Sequence, residues 1–314
     1  MIDQELSLFH DTTPILSIGD VQTPIPCPDR LWRTRNSVEW QQASKESYAS
    51  NNHEDVSLAH LFQDLLRDEL AMQLSPLQVK LLLHPLQTLV CHLTQILSCF
   101  YGLQDPRHST RPLMSASTLM RIEEVQSLLH KWFDLAMHNH LANPDCRITD
   151  GSLVLYHVLY LNTVSYFPVI ERMAQKEDSS MFEPTFRAQS LYQPQKAMFH
   201  AGQILRLITK MPRDGRPPWW AAALYRATLI LWVSALSHEH REQGPLVALD
   251  NISPEEPAAK AFLNAGYGSA SIGGKVLDPE GVVLYCGELL GEGAPTRFSD
   301  GVRRKLKSFL DNWR

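Results

Sequence analysis

The sequence predicts an all-α protein: a large irregular bundle of roughly eight to ten helices, followed by a glycine-rich region of short helices and loops. Three observations lead there. Apolar residues recur at helical spacing in several windows, most plainly Leu58, Leu61, Phe62, Leu65 and Leu66. Helix-start signals stand in front of such windows: Asn36 with Glu39, Ser75 before Pro76, and Asp278 before Pro279. Ten of the fifteen glycines lie beyond residue 243. The expected organisation is therefore a helical core over residues 1–242 and a glycine-rich subregion over 243–314 packed on the same domain.

Residues 1–21 mix apolar and polar side chains, with Leu6, Leu8 and Phe9 fit for a helix tail. Pro24, Pro26 and Pro28 then fix φ at alternate positions and favour an extended arm. Asp29 has the chemistry to cap a short turn carrying Leu31 and Trp32. Asn36 and Glu39 form a capping box for a helix that begins near Ser37 and carries Trp40. Because prolines lack backbone donors, hydrogen bonding is not expected to anchor the arm. Trp32 is expected to do so by packing on the helical body.

Residues 41–55 read as a helix end running into a polar loop, and the Leu58–Leu66 helix follows. Phe62–Leu66 approximates a short coactivator-docking helix, but its spacing fits an inward core face. The next helix runs from Pro76 to Tyr101, is closed by Gly102, and should kink or split at Pro85. Beyond the loop 104–112, Ser115 or Ser117 opens a helix whose apolar face is Leu119, Ile122, Val125, Leu128, Leu129, Trp132 and Phe133. Asn143-Pro144 ends it. Asp150 should start the following helix, with a kink at Pro168, before a charged loop over 175–186. Helices at 187–211 and 219–237 complete the core; short helices at 254–264, 279–290 and 299–313 follow.

Composition excludes several classes. Hydrophobic residues make up 44% and charged residues 20% of 314, enough to build a core without disulfides. The formal net charge is −5, and the densest basic cluster is Arg303-Arg304-Lys305. A chain that neutralises phosphates carries a basic stripe, so direct nucleic-acid binding is not expected of these residues. Cys27, Cys91, Cys99, Cys146 and Cys286 are odd in number and include no C-x-x-C pair, which points to reduced thiols inside a cell. The N-terminus has no signal-peptide pattern. Residues 219–236 approach the length of a membrane span, but Arg226 at the centre favours a buried helix.

Searching for chemistry finds none: no catalytic, cofactor-binding or metal-binding residues are expected. His138/His140 and His238/His240 are the close histidine pairs, and neither has thiolates nearby to complete a zinc tetrahedron. Gly273-Gly274-Lys275 lacks the spacing of a phosphate loop, and Gly266-x-Gly268 lacks the third glycine of a dinucleotide fingerprint. Residues 268–273 lack the G-x-S-x-G of a nucleophile elbow and read as a flexible loop. Glu123-Glu124, Glu239/Glu242 and Glu255-Glu256 read as solvated helix faces.

One ordered pattern carries more. Pro24, Pro26, Asp29, Leu31, Trp32, Glu39 and Trp40 resemble the fungal-specific transcription factor domain, the helical regulatory region behind zinc-dependent DNA-binding domains. A weaker match is Pro217-Pro218-Trp219 with Leu229, Leu231 and Trp232. The likeness is nearest to variants that accompany two-cysteine two-histidine fingers, and suggests the later part of such a domain. It implies a regulatory and protein-interaction region controlling RNA polymerase II transcription in the nucleus. Its partners would be other transcription factors or coregulators, with DNA contacted only through a zinc module that this sequence does not contain. It implies no enzyme, no cofactor and no membrane. A helical small-molecule enzyme without a recognisable motif and a helical scaffold stay open as alternatives.

Overall fold

The computed structural model of the chain describes residues 2–10, 12, 14–20, 22–26, 29–50, 56–70, 74–102, 116–144, 146–176, 190–237, 244–265, 268–293 and 296–313. The first half is built from α1 (Ile2–His10), α2 (Asp29–Trp32), α3 (Ser37–Ser50), α4 (Leu58–Arg67), α5 (Pro76–Gly102) and α6 (Ala116–Ala142). Then come α7 (Arg147–Val164), α8 (Phe167–Ala174), α9 (Pro194–Lys210) and α10 (Trp220–Ser237). The glycine-rich region holds β1 (Leu246–Ala248), α11 (Pro257–Ala265), β2 (Ser269–Ile272), β3 (Lys275–Val276), α12 (Pro279–Gly291) and α13 (Arg297–Trp313). The protein is predominantly α, as its sequence predicts.

The core is centred on α7, which packs against α5, α6, α9 and α10. From Ser152 to Val164 every residue of α7 is buried. This stretch contains no Lys, Arg, Asp or Glu, and a helix that is apolar on all sides has to be enclosed. Helix α10 is similarly enclosed and carries α12 and α13 on its far side. Trp132 of α6 is fully buried and its indole N–H donates to the Val79 carbonyl of α5 at 2.7 Å. Gly202 lets α9 approach the loop after β1: a Cβ there would lie 2.4 Å from Leu249 Cβ.

Local capping follows the sequence closely. Ser75 Oγ accepts from the Gln78 N–H at 3.3 Å, and Gln78 Oε1 accepts from the Ser75 N–H at 2.8 Å. Asp278 accepts from the Gly281 N–H at 2.7 Å and starts α12 with Pro279. Within α4, Leu58, Leu61, Phe62 and Leu65 are buried while Leu66 is exposed, so the coactivator-like segment is core.

Several expectations are corrected. Pro85 does not split α5, which runs unbroken from Pro76 to Gly102. Pro168 does not kink a helix; the chain breaks at Ser165–Tyr166, where Ser165 bridges to Leu191, and Pro168 opens α8. Proline is suited to the first turn of a helix because its missing donor has no intrahelical partner there. Helix α7 begins at Arg147 rather than Asp150, and α9 begins at Pro194 rather than near 187. Leu119 is exposed rather than part of the buried face of α6.

The glycine-rich region is more than loops and short helices. It contains a three-stranded sheet in the order β1-β2-β3. Val247 of β1 pairs in parallel with Ala270, and Ser271 pairs antiparallel with Val276. The segment expected to be a flexible loop is thus a hairpin. Gly273 and Gly274 turn it at φ of +55° and +76°, values that favour glycine at both turn positions.

Among the described residues no helix is long and apolar enough to cross a membrane. Cys27, Pro28, the loop 104–112, Ser115, residues 177–186, His238, Glu239, His240, Glu242 and Gly266 lie outside the described residues.

Candidate interaction surface

The arm and the tryptophan turn differ from expectation in both anchoring and exposure. Pro24 forms an antiparallel bridge with Ser57, and the Ile25 N–H donates to the Val56 carbonyl at 3.1 Å. Ile25 lies between two prolines and still has a donor, so the arm is anchored by its backbone after all. Leu31 of α2 is buried, at 7% exposure, and the Thr34 hydroxyl closes the turn by donating to the Leu31 carbonyl at 2.8 Å. Trp32 does not pack on the body: it is 74% exposed. In a four-residue helix, adjacent side chains diverge by about a quarter turn, so burying Leu31 leaves Trp32 facing out.

The capping box that starts α3 forms with one change. The Glu39 N–H donates to Asn36 Oδ1 at 2.9 Å, while Glu39 Oε2 accepts from the Arg35 N–H at 2.9 Å and Glu39 Oε1 accepts from the Asn36 side-chain amide at 2.8 Å, in place of the Asn36 backbone N–H. The first turns of the helix so fixed are exposed, while Ser44 further along is buried. Residues 37–42 are all exposed, with Val38 at 72% and Trp40 at 49%. Ile15 and Leu16, upstream, are exposed as well. Large apolar side chains held outward on capped, hydrogen-bonded elements favour a contact surface over a frayed core.

The interior holds polar groups that sequence spacing did not reveal. Nδ1 of His157 on α7 lies 2.8 Å from Nδ1 of His200 on α9, so one ring donates and the other accepts. The His200 ring stacks on Tyr160 at 3.8 Å between centroids. Burial pushes the His157 pKa down to about 3, and burial together with the facing His157 pushes His200 well below its usual value. Both rings are neutral at physiological pH and are enclosed by Tyr156, Phe199 and Phe133, which suits packing rather than proton transfer to a substrate. Arg226, noted in the sequence only as an obstacle to membrane insertion, donates to Asn162 Oδ1 at 2.9 Å and lies 4.5 Å over the Phe167 ring.

The other candidates do not come together. No group of three or more His, Cys, Asp or Glu side chains among the described residues could hold a metal ion. His140 lies 3.5 Å from Asp150 at the surface-facing end of α6. Glu123 and Glu124 are exposed, and Glu256, just before α11, accepts from the Ser253 N–H in the preceding turn. Cys91, Cys99, Cys146 and Cys286 form no disulfide among the described residues. The histidine pair gave no sequence signal, because its members lie 43 residues apart on two helices.

Over almost its whole length the chain has relatives. A transcription factor of Zymoseptoria tritici is 36% identical across 98% of this chain. Transcription factor 1 of Elsinoe fawcettii is 34% identical across 99%, and transcription factor PfmaH of Pestalotiopsis fici is 35% identical across 100%. The chain is similar to fungal proteins named as transcription factors. It spans about a third of the length of these relatives, 35–36% of each. No family model matches the chain. No solved structure matches it.

Proposed function

We propose that this chain is a regulatory and protein-interaction region of a fungal transcription factor. It acts in the nucleus on RNA polymerase II transcription, and reaches DNA through a zinc module that these residues do not supply. The observation that carries this reading is the similarity, over at least 98% of the chain, to three proteins named as transcription factors. The outward tryptophans add a location: Trp32, Val38 and Trp40 would be the contact for another transcription factor or coregulator. The enzyme alternative is less well supported, because the buried titratable groups are packed among aromatic rings instead of lining a shared cleft.

The test is a reporter assay on this chain fused to a foreign DNA-binding domain. Output should change relative to the DNA-binding domain alone, and Trp32→Ala should remove most of that change while the fusion stays folded. A fusion that is expressed, nuclear and without effect on the reporter would overturn the reading. A Trp32→Ala fusion indistinguishable from the parent would overturn the placement of the contact at the tryptophan turn.

A further inference from the structure

A cavity of about 100 Å³ lies where α1, α5, α7 and α8 meet, partly open to solvent. We propose that it is a binding site for a compact neutral hydroxyl compound. The hydrogen bonds around it set the chemistry of its occupant. Thr94 Oγ1 donates to the Val90 carbonyl at 3.0 Å, and Ser98 Oγ donates to the Gln95 carbonyl at 2.7 Å. With their protons committed, these two hydroxyls, one helical turn apart on α5, offer lone pairs. Asn162, on the facing α7, uses one amide proton on the Val158 carbonyl at 3.1 Å and accepts from Arg226 on its oxygen. Its second amide proton is uncommitted.

Between these three side chains the site presents acceptors on α5 and a donor on α7, and Ser7, Thr12, Gln95 and Tyr166 complete its polar lining. A hydroxyl group is both donor and acceptor and satisfies the two together. Leu8, Val90 and Pro168 supply the apolar remainder of the lining. No lining residue carries a charged side chain, and the Arg226 guanidinium behind Asn162 is bonded to Asn162 Oδ1, so an ionic ligand would give up its hydration without a direct counter-charge. Size limits the occupant as well. A dry cavity of about 150 Å³ holds the six carbons of benzene, so this one takes roughly four heavy atoms, or the end of a longer molecule emerging at the mouth.

Asn162 also gives the site a route to the rest of the fold. Its oxygen holds Arg226 of α10, whose guanidinium lies 4.5 Å over Phe167 of α8 and 5.8 Å over Phe9 of α1. An occupant bonded to Asn162 thus touches a junction of four helices. As a regulatory input the site rests on the transcriptional reading above; as a binding site it does not.

The test is a protein-observed NMR titration of the full chain with 2-methylpropan-1-ol into the tens-of-millimolar range, where ligands this small bind. Saturable shifts are expected at the amides of Thr94, Ser98 and Asn162. The charged analogues 2-methylpropanoate and 2-methylpropylammonium should bind at least about tenfold more weakly. Thr94→Phe fills the cavity and should abolish the shifts; should that variant fail to fold, Ser98→Leu at the more exposed turn serves the same purpose. The absence of saturable shifts, equal binding of the charged analogues, or undiminished binding to a folded filling variant overturns the proposal. Binding that persists while the reporter fusion is silent supports the site and overturns only the transcriptional reading.

Discussion

Acid should destabilise this protein through the His157–His200 pair. Both imidazoles are held neutral in the native state, His157 with its pKa near 3 and His200 well below the usual 6.5. In the unfolded chain each takes a proton near pH 6.5. The unfolded state thus binds more protons as pH falls. Stability from the pair is fully present above about pH 6.5 and is lost progressively toward pH 3, at up to about 1.4 kcal/mol per histidine per pH unit. Between pH 7 and pH 5 the loss from His157 is about 2 kcal/mol, and His200 adds a loss of the same sign. That is a large part of the stability of a typical domain.

The perturbation is the double substitution His157→Phe/His200→Phe. Replacing both hydrogen-bond partners with apolar rings of similar shape leaves no orphaned donor or acceptor and keeps a ring stacked on Tyr160. Urea unfolding of the parent and the variant is compared at pH 7 and pH 5. The parent should lose more than the variant across that interval, by about 2 kcal/mol from His157 and a further loss of the same sign from His200. His84, also pushed down by burial to about 3, titrates in both proteins and cancels in the difference. Equal pH dependence in the two proteins would refute the reasoning, because it would mean that the buried pair takes no protons on unfolding.

Other expectations follow from exposure and close contact. Trp32→Ala should leave the melting midpoint unchanged within the scatter of surface substitutions, about 0.5 kcal/mol, because the side chain is 74% exposed; a drop of several degrees in thermal melting would place Trp32 in the core. Trp132→Ala should cost roughly 3–5 kcal/mol, since the ring is fully buried and its N–H satisfies the Val79 carbonyl; urea midpoints decide it. Gly202→Ala should cost about 1–3 kcal/mol or more, because the added methyl meets Leu249 Cβ at 2.4 Å; an unchanged urea midpoint would show that α9 and the loop after β1 can part freely. The isolated chain, at a net charge of −5, should not retard duplex DNA selectively at physiological salt; nanomolar, sequence-selective retardation in a gel would contradict this.

By itself the sequence determined what depends on neighbours within a few residues. The helical stripe of Leu58, Leu61, Phe62 and Leu65, the capping residues Asn36, Ser75 and Asp278, and the enclosure of the 219–237 helix were all legible, because periodicity and capping act over one or two turns. The Gly273-Gly274 pair is a local hairpin signal too, but β2 and β3 are short and not rich in β-branched residues, so the sequence around it does not stand out as strand. Only the tertiary structure decided which of Leu31 and Trp32 faces the body, since that depends on how the arm lies against distant parts of the chain. It also brought His157 to His200 across 43 residues and Asn162 to Arg226 across 64, and it opened the cavity beside Asn162. The physical reason is common to both pairs. A buried polar group takes its partner from whatever the packing of distant helices brings within about 3 Å, and nothing in the spacing of residues along one helix encodes which helix will lie beside it.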